Sequence, residues 1–163
     1  MIHKYEEQWG RVKRWYKRFQ DINEGKPHTQ DTDYYVDDVY SFFINCYHLK
    51  DWIIHDDTLK INDRENLVYD FINSIDCLLY CADICNSIKH LKLTHPPKTG
   101  TQPEFKGKDF DLKIAETIGK IEQKTPIISI KFHIETSIGN QDAFIIATEC
   151  MKSWERFIND KLL

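Results

Sequence analysis

The chain has 163 residues and a formal net charge of −4, so its length fits one domain and its overall charge gives no basic signature for nucleic acid. Hydrophobic residues make up 41% of the sequence, which is adequate for a core. Glycine and proline are scarce, at 6 and 5 residues, and this argues against a loop-rich or all-β design. We therefore expect a mainly α-helical single domain over residues 1–163.

Hydrophobic periodicity predicts four helices in the first 93 residues. They cover residues 3–21, 32–55, 63–73 and 75–91. The second has a wide apolar face, which indicates a central place in a bundle. A glycine- and proline-containing break, 23–27, separates the first helix from the second.

The character of the sequence changes at Thr94. Residues 94–108 contain three of the five prolines and are typical of an exposed loop. Apolar and polar residues then alternate in 110–114 and again in 128–134, which predicts a β-hairpin connected through 119–126. A closing helix over 141–161 follows, with Asn140 as its N-cap.

The predicted architecture is thus a bundle of four or five helices with a β-hairpin inserted before the last helix. Residues 1–93 form the bundle core, residues 94–136 the loop and hairpin, and residues 137–163 the closing helix. The first residues are charged and lack the apolar segment of a signal peptide. No apolar run approaches the roughly 18 residues that a membrane-spanning helix needs. We expect no contact with a membrane.

The cysteine pattern indicates free thiols. The five are Cys46, Cys77, Cys81, Cys85 and Cys150. The count is odd, no CxxC pair occurs, and three of them recur at every fourth residue along one helix. Such spacing favours a reducing compartment, so we expect a cytoplasmic protein. Core packing is the common role of such cysteines, and a thiolate nucleophile or a soft-metal site is the alternative.

Two predicted helices each carry a polar group near the C-terminal end. The first group is His48, Asp51 and His55, and the second is Asp83, Asn86, Ser87 and His90. Spacings of three, four and seven place the members of each group on one helix face. Since two helices of a bundle can bring such faces together, we expect the groups to converge.

Three interpretations of this convergence stay open. Histidine titrates near neutral pH and a carboxylate can orient it, so acid–base catalysis is one. Two histidines and two carboxylates could hold Zn, Fe or Mn, but the HExxH and ExxH patterns are absent, and we expect no bound metal or cofactor. A hydrogen-bonded network that fixes helix register is the third. GxGxxG, GxxxxGK[ST] and GxSxG motifs are also absent.

One side of the first helix is basic. Arg11, Arg14 and Arg18 lie there, joined by Lys13 and Lys17. These side chains could contact RNA phosphates, although a solvated helix face is the commoner explanation.

Two segments resemble a family of uncharacterised bacterial proteins that pair an HLKDW motif with a DxxNxxKHL motif. The segments are CYHLKDWI and CADICNSIKHL, and DAFIIATECMKSWERFI resembles the last helix of the same proteins. The second motif is also remotely similar to the HEPN superfamily. That resemblance implies a helical bundle that is often dimeric and often a metal-independent ribonuclease of bacterial defence or stress.

The HEPN resemblance assigns roles to individual residues. His90 matches the signature histidine and Asn86 its polar position, whereas the signature arginine has no counterpart among residues 84–86. It implies His90 as general acid or base, with Asp83 or Asp51 and His48 beside it. Lys89 and Asn86 would hold the phosphate, and Arg11, Arg14 and Arg18 would guide the RNA.

The alternative is a non-catalytic helical module whose polar cluster is structural and whose surface binds a protein partner. We also expect a homodimer, with Trp9, Trp15 and Tyr34 as candidate interface aromatics.

Overall fold

The computed structural model describes residues 2–27, 29–89, 96–113 and 127–163. Within these residues the helices are α1 (Tyr5–Glu24), α2 (Thr32–Ile54), α3 (Arg64–Asn73), α4 (Asp76–Lys89) and α5 (Ala143–Phe157). The strands are β1 (Lys26–Pro27), β2 (Glu104–Lys113), β3 (Ile127–Thr136) and β4 (Gly139–Asp142). The predicted fold, mainly helical with strands inserted before the last helix, is confirmed. None of the helices in the described ranges is long and apolar enough to cross a membrane.

Helices α1 and α2 pack together because each has a stripe of apolar residues at spacings of three and four. Val12 and Phe19 of α1 are fully buried, as are Val39, Phe42 and Phe43 of α2. Phe19 is the centre of an aromatic cluster, with ring centroids 5.3–6.4 Å from those of Phe42, Phe43, Phe132 and Phe144. This cluster joins α1 and α2 to β3 and α5, so it fixes the position of α1 in the fold.

Gly25 ends α1 and turns the chain into the sheet. Its backbone N–H donates to the carbonyl of Asp21 at 3.0 Å, and its φ is +109°, a conformation that favours glycine. A Cβ at this position would lie only 3.0 Å from Cγ2 of Ile127. The sequence predicted only a helix break here. In the structure, Lys26 and Pro27 go on to pair with β3.

The sheet is antiparallel, and β3 is its central strand. Strand β2 pairs along one edge of β3, and the two short strands β1 and β4 pair with opposite ends of β3. Ile130, Phe132 and Ile134 are buried and alternate with outward residues, as the sequence predicted. The predicted hairpin connection, 119–126, lies outside the described residues.

The start of the closing helix differs from the prediction. Asn140 was the expected N-cap, but it pairs with Glu135 as part of β4. The N-cap is Asp142, whose Oδ1 accepts the backbone N–H of Phe144 at 2.8 Å. Helix α5 ends at Phe157, and a π-helical segment, Ile158–Leu162, completes the chain's last turn. The closing element is therefore shorter than the predicted 141–161 at its start and irregular at its end.

Candidate nucleic-acid interface

The carboxylate of Asp83 holds a loop against α4. This residue is 1% exposed, and its carboxylate accepts the backbone N–H groups of Lys98 at 2.7 Å and Thr99 at 2.8 Å. The Thr99 hydroxyl donates a third hydrogen bond at 2.8 Å. Nζ of Lys98 also reaches Oδ1 of Asn73, at the end of α3. A buried carboxylate with three donors is well satisfied, so Asp83 has a structural role in joining the loop to α4.

Asp51 lies near the C-terminal end of α2 and pairs with the preceding lysine. Nζ of Lys50 lies 2.5 Å from Oδ1 of Asp51. The same ammonium lies over the rings of Tyr47 and Tyr69, at 4.8 and 5.7 Å from their centroids. Because the Lys50 side chain is only 10% exposed, Asp51 acts as the counter-ion of a nearly buried lysine. The partners of Asp51 therefore differ from those of Asp83.

An open cleft of about 270 Å³ lies between the start of α1 and the end of α2. Its lining residues are Lys4, Asp51, Trp52 and His55. Asp51 and His55 thus share one opening, in agreement with their spacing of four along the helix. His48 lies one turn earlier, is half-buried, and has its ring centroid 6.5 Å from that of Tyr47.

The remaining predicted residues lie at or beyond the described end of α4. His90 is outside the described residues, and Lys89 is described by its backbone alone. Asn86 is half-buried one turn after Asp83. The predicted convergence of the two polar groups on one site therefore stays a prediction.

The middle of α1 carries five cations and no acidic residue. Residues 8–20 contain Arg11, Lys13, Arg14, Lys17 and Arg18. All of them are exposed except Arg11, which is half-buried. These five residues, together with the half-buried Trp9, Trp15 and Trp52, are called the basic–aromatic face below.

Cations lie over the indole rings of the basic–aromatic face. The distances to the ring centroids are 4.6 Å for Arg18 over Trp15, 5.1 Å for Arg11 over Trp52 and 5.7 Å for Lys13 over Trp9. Such cation–π contacts hold flat π-systems and positive charge side by side at the surface. Nucleobases stack on such surfaces and phosphates pair with such charges.

The cations of this face differ in whether they have acidic partners. Three are ion-paired: Arg11 with Glu7, Lys17 with Asp21 and Arg18 with Asp38. Within the described part of the chain, no carboxylate lies within ion-pair distance of Lys13 or Arg14. Lys13 and Arg14 are therefore the cations of this face best placed to bind a phosphate group.

Gly10 makes room for Arg14 on the helix surface. A Cβ placed on Gly10 would lie 3.3 Å from a terminal guanidinium nitrogen of Arg14, four residues later. The guanidinium therefore lies back along α1, beside Gly10. The pair could be recognised in the sequence as Gly and Arg at a spacing of four.

The start of α1 is capped from a distant part of the chain. Asp56, in the segment after α2, is fully buried, and its Oδ2 accepts the backbone N–H of Tyr5 at 2.8 Å. Its Oδ1 accepts the backbone N–H and the hydroxyl of Thr58, at 2.9 and 2.6 Å. Burial raises the pKa of Asp56, but these hydrogen bonds outweigh it, so the pKa lies below its ordinary value. Asp56 thereby fixes the end of α1 that leads into the basic–aromatic face.

Trp52 packs against the core, and it also contacts Arg11 and lines the cleft beside His55. The sequence gives no signal for this contact, because Arg11 and Trp52 are 41 positions apart and meet only when α1 packs on α2. Comparisons of the chain with protein-family models, with curated proteins and with solved structures found no match.

Proposed function

We propose that the protein binds single-stranded RNA on the basic–aromatic face of α1. The observation that carries the proposal is the pairing of Arg18 with Trp15 and of Lys13 with Trp9 at the surface. Aromatic rings contribute about 1–3 kcal/mol per stacked base, and adjacent cations track the phosphate backbone. The remote HEPN resemblance independently supports RNA as the ligand class. The overall charge of −4 means that binding depends on this local surface.

A catalytic form of the proposal adds RNA cleavage without a metal. His90 would be the general acid or base, with Lys89 and Asn86 at the phosphate. Asp83 is less suited to orient His90 than the sequence alone indicated, since its carboxylate already accepts three hydrogen bonds from the loop. This supports binding over cleavage.

The second candidate function is a non-catalytic module that binds a protein partner. The structural role of Asp83 favours this candidate as well, because the loop that it holds is largely exposed and could contact a partner. RNA affinity distinguishes the two candidates.

Fluorescence anisotropy with a labelled single-stranded RNA at low salt tests the proposal. The double variant Lys13→Glu, Arg14→Glu reverses the two cations that have no carboxylate within ion-pair distance among the described residues. We expect it to weaken binding by about tenfold or more, since each phosphate contact is a charge-assisted interaction. The control is Lys60→Glu, Lys161→Glu, which makes the same change in net charge at two exposed lysines outside α1.

Four outcomes distinguish the proposal from its alternatives. Weak binding by the first variant and wild-type binding by the control support the proposal. An equal loss in both variants would indicate a general charge effect and contradict it. Absence of RNA binding by the wild type would reject the proposal and favour the protein-interaction module. RNA shortened during incubation without metal, and intact with His90→Ala, would support the catalytic form.

We also propose a homodimer in the cytoplasm. Tyr34 is 58% exposed at the start of α2, which suits an interface. The other two candidates, Trp9 and Trp15, are each covered on one side by a cation of the basic–aromatic face. Light scattering at tens of micromolar tests this, with a dimer expected, and a monomer would contradict it.

A further inference from the structure

Three helices bring cysteine sulfurs together in the core. Cys46 comes from α2, Cys81 from α4 and Cys150 from α5, and all three are 0–1% exposed. Their Sγ atoms all lie within 4.8 Å of one another. All five cysteines are free thiols. Cys81, one of the three regularly spaced cysteines of α4, therefore lies beside one cysteine from α2 and one from α5.

The separation of these sulfurs is close to that of ligands on one metal ion. A Zn–S bond is about 2.3 Å, so two thiolates on a single zinc ion are about 3.8 Å apart in tetrahedral geometry and about 4.0 Å apart in trigonal geometry. Sulfurs within 4.8 Å of each other reach these distances by small side-chain rotations. Thiolates select soft ions such as Zn²⁺ and Cu⁺.

Trp154 supplies a second observation at the same place. This residue is 1% exposed, and its indole Nε1 has no hydrogen-bond acceptor in the described structure at normal distance. The indole lies beside the thiol of Cys46. A thiolate held by a metal ion is a stronger acceptor than a neutral thiol, so an occupied site would offer this buried donor a partner.

Cys77 lies one turn before Cys81 on α4 and is half-buried. Its Sγ lies 3.8 Å from the hydroxyl of Ser153, and it also contacts the thiol of Cys150. Cys77 therefore offers a fourth sulfur at the rim of the cluster, outside the three that all lie within 4.8 Å of one another.

We propose that Cys46, Cys81 and Cys150 bind a thiophilic metal ion, with Cys77 completing a tetrahedral thiolate site. Each thiol that ligates the ion releases its proton to solvent, and no electron is transferred. Without metal, Cys81 donates to the carbonyl of Phe43 at 3.4 Å and Cys150 to that of Cys77 at 3.2 Å. These bonds satisfy the thiols of Cys81 and Cys150 when no metal is bound.

The test titrates reduced, metal-free protein with Co²⁺ as a spectroscopic probe, and then with Zn²⁺. We expect one equivalent of Co²⁺ to give a thiolate-to-metal charge-transfer band and the visible bands of a tetrahedral site. One equivalent of Zn²⁺ should abolish both. A separate titration with Cu⁺, delivered from a chromogenic chelator, shows which ion is bound more tightly.

Matched variants on α4 locate the site. Cys81→Ala should weaken metal binding on the order of 100-fold or more, because it removes a ligand. Cys85→Ala, an equally buried cysteine one turn further along the same helix, should bind like the wild type. Trp154→Phe should weaken binding on the order of tenfold, because it removes only the N–H donor to a ligand.

A measurement on the wild type covers the case in which a variant fails to fold. Bound Zn²⁺ should protect Cys77, the half-buried thiol of the cluster, from N-ethylmaleimide, as read by peptide mass spectrometry. Absence of cobalt bands and of zinc or copper uptake would overturn the proposal, and so would equal losses in Cys81→Ala and Cys85→Ala. Loss of two cluster thiols in air, without metal uptake under reduction, would identify a disulfide pair and also overturn it.

Discussion

Replacement of Asp83 by alanine tests whether this buried carboxylate is a structural group. The change leaves the two backbone N–H groups of Lys98 and Thr99, and the Thr99 hydroxyl, without their acceptor. A hydrogen bond to a charged group contributes about 1.5–3 kcal/mol, but the freed loop can reach water, so we expect a loss of about 3–5 kcal/mol in the free energy of unfolding. Urea unfolding followed by circular dichroism measures this loss.

Thr99→Val is the matched control, because it removes only the hydroxyl donor to Asp83. We expect it to lower the free energy of unfolding by about 1 kcal/mol. The slope of the urea dependence should be unchanged in both variants, since the fold is retained. A free energy of unfolding for Asp83→Ala within about 0.5 kcal/mol of the wild-type value would refute the structural role. It would restore Asp83 as a candidate for orienting a catalytic histidine.

Three further predictions concern the placement of α1. Because the pKa of Asp56 is lowered, its ionised form stabilises the fold above the ordinary carboxyl range of about pH 4, and this stability is lost as pH falls through the lowered value. Asp56→Asn should lower the free energy of unfolding by about 1–3 kcal/mol at pH 7 and make it depend less on pH below about pH 4. An unchanged pH dependence would contradict this. Gly10→Ala should raise the free energy of unfolding by about 0.5–1 kcal/mol, seen as a higher melting temperature, since the guanidinium of Arg14 can shift. Tyr16→Phe removes a 2.9 Å hydrogen bond to Thr148 and should cost about 1 kcal/mol in urea unfolding, whereas no change would show that water replaces the bond.

The helices and the central strand could be predicted from the sequence because their signals are local. Val39 and Phe42 of α2, and Ile130 and Phe132 of β3, repeat at the periods of their elements, and the structure buries all four. The short strands could not be predicted, because β1 has two residues and β4 has four. Their identity comes from pairing with β3, which lies far from β1 in the chain. Because β4 could not be recognised, the sequence predicted Asn140 as a helix N-cap instead of a strand residue.

The candidate sites depended still more on long-range packing. The sequence located the cations of α1, but the contact of Arg11 with Trp52 depends on the packing of α1 against α2. The partners of Asp83 are 15 and 16 residues away, in a segment for which the sequence predicted only an exposed loop. The convergence of Cys150 with the cysteines of the other helices likewise follows from tertiary packing, which residue spacing cannot report.

The salt dependence of RNA affinity tests the central claim most directly. For single strands, the slope of log affinity against log salt is about −0.7 per phosphate neutralised. If Lys13 and Arg14 each contact a phosphate, the slope for Lys13→Glu, Arg14→Glu should be shallower than that of the wild type by about 1.4, which is twice 0.7. An identical slope for wild type and variant, with RNA still bound, would contradict binding at the basic–aromatic face.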